Sequence, residues 1–120
     1  MNALFDTNIL IDYLNGISAA RDEIRRHERP MISLITWMEV LAGTHAEQSM
    51  LVRGFLRRFE CVGINAGIAE RAVDVRRTYK LKLPDAIICA TALEHSALLV
   101  TRNTKDFPGD QPGIRVPYVL

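Results

Sequence analysis

Four carboxylates in this chain stand where a strand-like run ends or a helix-like run begins. Asp6 directly follows the apolar run Ala3-Leu4-Phe5, and Glu39 lies on the segment after Met31-Ile32-Ser33. Asp85 opens a nearly continuous apolar run after Leu83-Pro84, and Asp106 shares with Asn103 the loop after Leu98–Thr101. Brought together, such acids have definite chemistry. Two like charges about 4 Å apart repel by on the order of 4 kcal/mol at an effective dielectric of about 20. Three or four stay ionised only beside a cation; otherwise some bind protons. A site of oxygens without His or Cys selects a hard ion, Mg²⁺ or Mn²⁺. The histidines agree by exclusion: His27, His45 and His95 have no ligand spacing and read as surface residues. No Ser-His-Asp or Cys-His arrangement and no glycine-rich phosphate loop is present.

Each acid also has a local role open to it. Asp6 or Asn8 can cap the helix that follows. Thr36-x-x-Glu39 has the form of a capping box. Asp85 in a first turn favours the helix dipole, and Asn103 and Asp106 suit a turn. What favours convergence is the order of elements. Ile9, Leu10, Tyr13 and Leu14 repeat at helical spacing up to Gly16, and Ser18 begins a helix through His27 that Pro30 closes. Met31–Ser33 reads as a strand, and Thr36–Leu41 as a helix ended by Gly43. Ala46–Phe59 reads as one long amphipathic helix facing inward with Met50, Leu51, Phe55, Leu56 and Phe59. Cys61-Val62 is a short strand, and Asn65 caps a helix to Tyr79 with Ile68, Ala72 and Val75 on one face. Pro84 suits a first helical turn, and Ala86–Leu93 is apolar nearly all round, as in a helix buried on most sides. Leu98–Thr101 is a strand, and Val116–Leu120 a last one, kept to an edge by Pro117. Strands alternating with helices predict an α/β fold with a parallel sheet covered on both faces. Ligands of such sheets bind beyond the carboxyl ends of the strands, and the acids fall at that edge.

The chain has 120 residues, 48% of them hydrophobic and 24% charged, which suits one globular domain over 1–120. Its 15 basic and 14 acidic residues leave a net charge of +1, excluding a grip on nucleic acid through global charge. Distribution says more. Residues 1–20 hold Asp6 and Asp12 and no basic residue, whereas arginines gather at 21–29, 53–58 and 71–77. Lys80, Lys82 and Arg102 flank Asp85 and Asn103 in sequence and are candidates to grip phosphate at the rim of a metal site. Cys61 and Cys89 read as buried free thiols in a reducing compartment. No basic leader precedes Asp6, and the apolar stretch Met31–Ala42 is too short for a bilayer and broken by Glu39. The expectation is a soluble, cytoplasmic protein without membrane contact.

Asp6-Thr7-Asn8, Glu39 within Ser33–Gly43, Leu83-Pro84-Asp85 and Thr101-Arg102-Asn103 through Phe107 together resemble the four motifs of PIN domains, in order and over essentially the whole chain. They are most similar to VapC-type toxin ribonucleases. The resemblance implies a PIN-like three-layer sandwich with a central, mostly parallel sheet flanked by helices. It implies a Mg²⁺-dependent endoribonuclease, a homodimer, neutralised by a cognate VapB-type antitoxin. Carried over, Asp6 and Asp85 are the principal metal ligands, and Glu39 completes the set or holds a metal-bound water. Either Asn103, where many members have a fourth acid, or Asp106 closes the catalytic group. Thr7 and Thr101 look like hydroxyl partners that orient ligands or substrate. In-line hydrolysis of single-stranded or looped RNA follows. Tyr79 is a candidate to stack on bases, and Trp37 a core residue. The competing expectation is a PIN domain weakened at Asn103 that only binds RNA or protein.

Overall fold

A computed structural model describes residues 2–107 and 113–120. Five strands, β1 (Ala3–Phe5), β2 (Pro30–Ser33), β3 (Glu60–Val62), β4 (Leu98–Val100) and β5 (Ile114–Arg115), form one sheet in the order β3-β2-β1-β4-β5. Every pairing is parallel. Six helices connect or flank them: α1 (Thr7–Leu14), α2 (Ser18–Arg25), α3 (Leu34–Ala42), α4 (Ser49–Leu56), α5 (Ala66–Tyr79) and α6 (Leu83–Glu94). The strand order reverses at β1 and β4, so chain connections leave in opposite directions from that pair and open a crevice above it.

The period of two in the strands assigns side chains to faces. Ala3, Phe5, Ile32 and Val100 enter one core layer with Ile9 and Leu10 of α1, Ile24 of α2 and Val52, Phe55 and Leu56 of α4. Leu4, Met31 and Leu99 enter the opposite layer with Ile68, Ala72 and Val75 of α5 and Ala86, Ile88, Ala90 and Ala92 of α6. Burying each large apolar side chain contributes about 1.5–3 kcal/mol. The small alanines of α6 let that helix lie close to its neighbours. Tyr13 stacks on Phe55 at 4.3 Å, and Phe59 meets Phe5 edge-on at 6.0 Å.

Several expected boundaries move. The segment expected as one helix over Ala46–Phe59 is a single 3₁₀ turn (Ala46–Gln48) followed by α4. Its inward stripe is Val52, Phe55 and Leu56, with Phe59 just beyond the helix. Met50 and Leu51, 86% and 76% exposed, lie on the opposite side because 100° per residue carries them there. Ser33, not Thr36, caps α3: its Oγ accepts from the Ile35 amide at 3.2 Å. Thr36 is therefore inside the helix and fully buried. The last strand is Ile114–Arg115 rather than Val116–Leu120, because its partner β4 ends at Val100 and offers no further ladder. Neither thiol is buried as expected: Cys61 is exposed on the edge strand β3, and Cys89 is partly exposed on α6. His27 is half-buried rather than on the surface, edge-on to Phe5 and 2.9 Å from the Glu23 carboxylate. Trp37 packs against the first core layer with Arg53 5.4 Å above its ring. None of the described helices is long and apolar enough to cross a membrane.

Ser33→Ala should lower the unfolding free energy by about 1 kcal/mol, read from the urea midpoint.

Candidate active site

Asp6 leaves the carboxyl end of β1 beside Thr101, which leaves that of β4. Its amide donates to the Val100 carbonyl at 2.9 Å, extending the ladder by one bond. The residue is also the N-cap of α1, with Oδ1 accepting from the Thr7 amide at 2.7 Å. Oδ2 accepts from the Thr101 hydroxyl at 2.7 Å and from Asn8 Nδ2 at 3.3 Å. A carboxylate has about four acceptor positions. The three bonds leave one free, on Oδ1.

The other acids arrive on separate elements. Glu39, on α3, is exposed, and its Oε1 accepts from the Thr7 hydroxyl at 2.8 Å. Thr36, one turn earlier, stands 3.0 Å from that hydroxyl. Asp85 is in the first turn of α6 and half-buried. Asp106 and Asn103 bond reciprocally: Asn103 Nδ2 donates to Asp106 Oδ2 at 2.9 Å, and the Asp106 amide donates to Asn103 Oδ1 at 3.2 Å. Asn103 thus braces the carboxylate of Asp106.

The charges feel one another. Burial pushes the Asp6 carboxyl up to about 6, with Asp85 and Glu39 adding to the rise and the Thr101 and Thr7 bonds opposing it. Burial also raises Asp85, reinforced by Asp106 and Glu39 and opposed by Lys82. Three carboxylates are buried among the described residues: Asp6, Asp12 and Glu23. Asp12 is forked by Arg102 and Glu23 by Arg115. Asp6 has hydroxyl and amide partners but no cation among the described residues. Its surroundings fit a hard metal ion, since the donors are all oxygen. Among the described residues no three His, Cys, Asp or Glu side chains gather closely enough to hold an ion alone. An all-oxygen set suits Mg²⁺, which keeps several waters and takes one or two carboxylates plus substrate phosphate. A groove of about 290 Å³ with Ile11, Leu14, Val40 and Val52 in its walls opens beside Glu39.

A family model for the PIN domain matches residues 3–108. The chain belongs to the PIN domain family. Within it the kinship is with VapC-type proteins: ribonuclease VapC10 of Mycobacterium tuberculosis is 33% identical over 113 residues, covering 88% of this chain and 85% of the relative. A structure of a toxin–antitoxin complex from Klebsiella pneumoniae superimposes with a TM-score of 0.93 at 50% identity, covering 98% of this chain and 99% of that one. The DNA-bound VapBC of Salmonella typhimurium gives 0.79 at 25% identity, with 96% of each chain covered.

This PIN domain places its expected site residues unequally. Asp6, Glu39, Asp85 and Asp106 share one electrostatic neighbourhood. Two residues expected at the rim of the site bond to buried carboxylates. Thr101 is fully buried and spends its hydroxyl on Asp6. Arg102 directs its guanidinium to Asp12, with Nε and Nη2 at 2.7 and 2.9 Å. Thr7 braces Glu39, and Lys82 stands near Asp85. Lys80 ends α5 in a left-handed conformation (φ 56°) and is exposed, as is Tyr79. Thr36, Asp12 and Tyr118 were missed. Asp12 did carry a signal: an acid inside the apolar helix Thr7–Leu14, in a stretch without basic residues, demands a partner from far along the chain.

The folded state holds the Asp6 proton more tightly than the unfolded chain, so metal-free stability falls as pH rises from 3.8 through about 6. Asp6→Asn should flatten that fall. In EDTA above about pH 7 it should stabilise the fold by about 2 kcal/mol, net of about 1 kcal/mol for an acceptor bond the amide nitrogen cannot make. Urea titrations at several pH values measure both effects.

Proposed function

We propose that this PIN domain is a Mg²⁺-dependent endoribonuclease of the VapC type, a toxin neutralised by a cognate VapB-type antitoxin. The observation that carries the reading is Asp6: a buried carboxylate, raised by burial and by two other acids, with an open acceptor position and no cation beside it among the described residues. Its relation to ribonuclease VapC10 and to the Klebsiella toxin–antitoxin protein supports the choice of substrate and partner. Asp6 and Asp85 would hold the ion, with Mn²⁺ an acceptable substitute. When bound, the ion supplies positive charge against the phosphoryl oxygens and lowers the pKa of the attacking water.

The chain's own residues do the rest. Thr101, Thr7 and Asn8 fix both Asp6 oxygens, so the carboxylate needs no reorganisation during reaction. Glu39 accepts the Thr7 hydroxyl on Oε1, leaving Oε2 to accept the proton of the attacking water. Asp106, braced by Asn103, is the fourth carboxylate, so the asparagine at position 103 positions an acid rather than replacing one. Lys82, and Lys80 at the end of α5, would meet the phosphates on either side of the scissile bond. The antitoxin would cover the groove beside Glu39 and present a basic group to the acids. Homodimeric assembly and a cytoplasmic setting complete the proposal.

Purified protein should cleave single-stranded RNA with added Mg²⁺ and stop in EDTA. Asp6→Asn and Asp85→Asn should each lower kcat/KM by more than about 100-fold. Because Mg²⁺ and the proton compete for Asp6, the Mg²⁺ concentration for half activity should rise as pH falls below about 6. Asn103→Ala should act only by loosening Asp106, and so weaken cleavage less than Asp106→Asn. RNA binding without Mg²⁺-dependent cleavage would replace the nuclease reading with that of a binding module.

A further inference from the structure

The loop after β4 carries two parts of the site within six residues: Thr101, which holds Asp6, and the Asn103–Asp106 pair. Arg102 lies between them, and its side chain leaves the site altogether. Its guanidinium forks Asp12 with both oxygens engaged, at 2.7 and 2.9 Å. The Tyr118 hydroxyl donates to the same Oδ2 at 2.8 Å. Asp12 is only 4% exposed, and the fork and hydroxyl hold its carboxyl below the usual range although burial alone would raise it.

The backbone completes the connection. The Arg102 amide donates to Asn8 Oδ1 at 3.2 Å, and Asn8 Nδ2 donates to Asp6 Oδ2 at 3.3 Å. The Asn103 amide donates to Thr101 Oγ1 at 2.9 Å, and that hydroxyl donates to Asp6 at 2.7 Å. Asn8 and Asp12 are one turn apart on α1, so the fork and the Asn8 bond pin residue 102 to the same helix at two points. We propose that Asp12, Arg102 and Tyr118 are positioning residues for the ribonuclease reaction: together they seat the Thr101–Asp106 loop against Asp6 and Asp85.

The molecule contains its own control. Glu23 is as buried as Asp12 and is forked by Arg115 at 2.7 and 2.9 Å, but that pair ties α2 to β5. Arg115 reaches Thr101 only through the backbone ladder, which Glu23 does not touch. A fork that merely holds the fold together predicts equal consequences for the two acids. A positioning fork predicts unequal ones.

The inference rests on the ribonuclease reading, and its test separates the two. Asp12→Asn, Arg102→Lys and Tyr118→Phe are compared with Glu23→Gln at temperatures where all are folded by circular dichroism. Arg102→Lys keeps the charge but loses the fork. The three loop variants should lower kcat by about 10- to 100-fold, the range for a reacting geometry displaced by about 1 Å, with KM changed less than about twofold. In protein without RNA, calorimetry should show weaker Mg²⁺ binding. In metal-free protein, amide exchange at Thr7 and Asn103 should accelerate. Glu23→Gln should lower Tm while leaving kcat, Mg²⁺ binding and those two amides unchanged. Unchanged Mg²⁺ binding and exchange in the loop variants, or equal effects from Glu23→Gln, would overturn the proposal. Should Asp12→Asn fail to fold, Arg102→Lys and Tyr118→Phe decide. Should the wild-type protein fail to cleave RNA, the nuclease reading falls, and the Mg²⁺ and exchange measurements still judge the loop.

Discussion

A carboxylate buried without a counter-ion among the described residues is the constraint around which this molecule is arranged. Burying an isolated charge costs far more than a domain's net stability, and proteins meet that cost with a partner or a proton. Asp12 and Glu23 meet it with arginine forks. Asp6 meets it only in part, with three neutral donors and a raised affinity for protons. The deficit is kept in place by everything nearby: α1 begins on Asp6, β4 delivers Thr101 to it, and α3 and α6 bring further negative charge. Such an arrangement makes sense for a residue whose proper partner arrives from solution.

The parallel sheet supplies the rigidity this requires. The reversal of strand order at β1 and β4 puts two strand ends side by side and sends their connections apart. Asp6 and Thr101 therefore meet across one ladder spacing with no long loop intervening. The two core layers, one on Phe5 and the other on Leu4 and Leu99, fix the register of those strands from both faces. A slip by one residue would exchange the faces and move Asp6 out of the site.

Legibility from sequence followed the range of the interactions. The α/β alternation and the helix Ala66–Tyr79 behind its Asn65 cap rest on local periodicity and capping, and could be read directly. The gathering of Asp6, Glu39, Asp85 and Asp106 followed from the rule about strand ends, with no pair distance needed. The Arg102–Asp12 fork could not be read, because an arginine between Thr101 and Asn103 looks the same whether it faces RNA or the interior. Capping was ambiguous too: Ser33 and Thr36 both precede an apolar run, and only the register of β2 decides which one starts the helix. Met50 and Leu51 misled because apolar composition says nothing of which side of a short helix meets the core.

Several of the polar bonds that hold the site and the fold run between the two ends of the described chain. Thr101 lies 95 positions from Asp6, Arg102 90 from Asp12, Arg115 92 from Glu23 and Tyr118 106 from Asp12. Even the central ladder joins Ala3 to Leu98. During synthesis, which proceeds from the amino end, the three buried acids emerge early and their distant partners last. A nascent chain halted before β4 has β2 beside β1 but neither the strand on its other side nor the Thr101 hydroxyl that holds Asp6. Activity on RNA would thus wait for the segment from Leu98 onward, long after the acids themselves have been made.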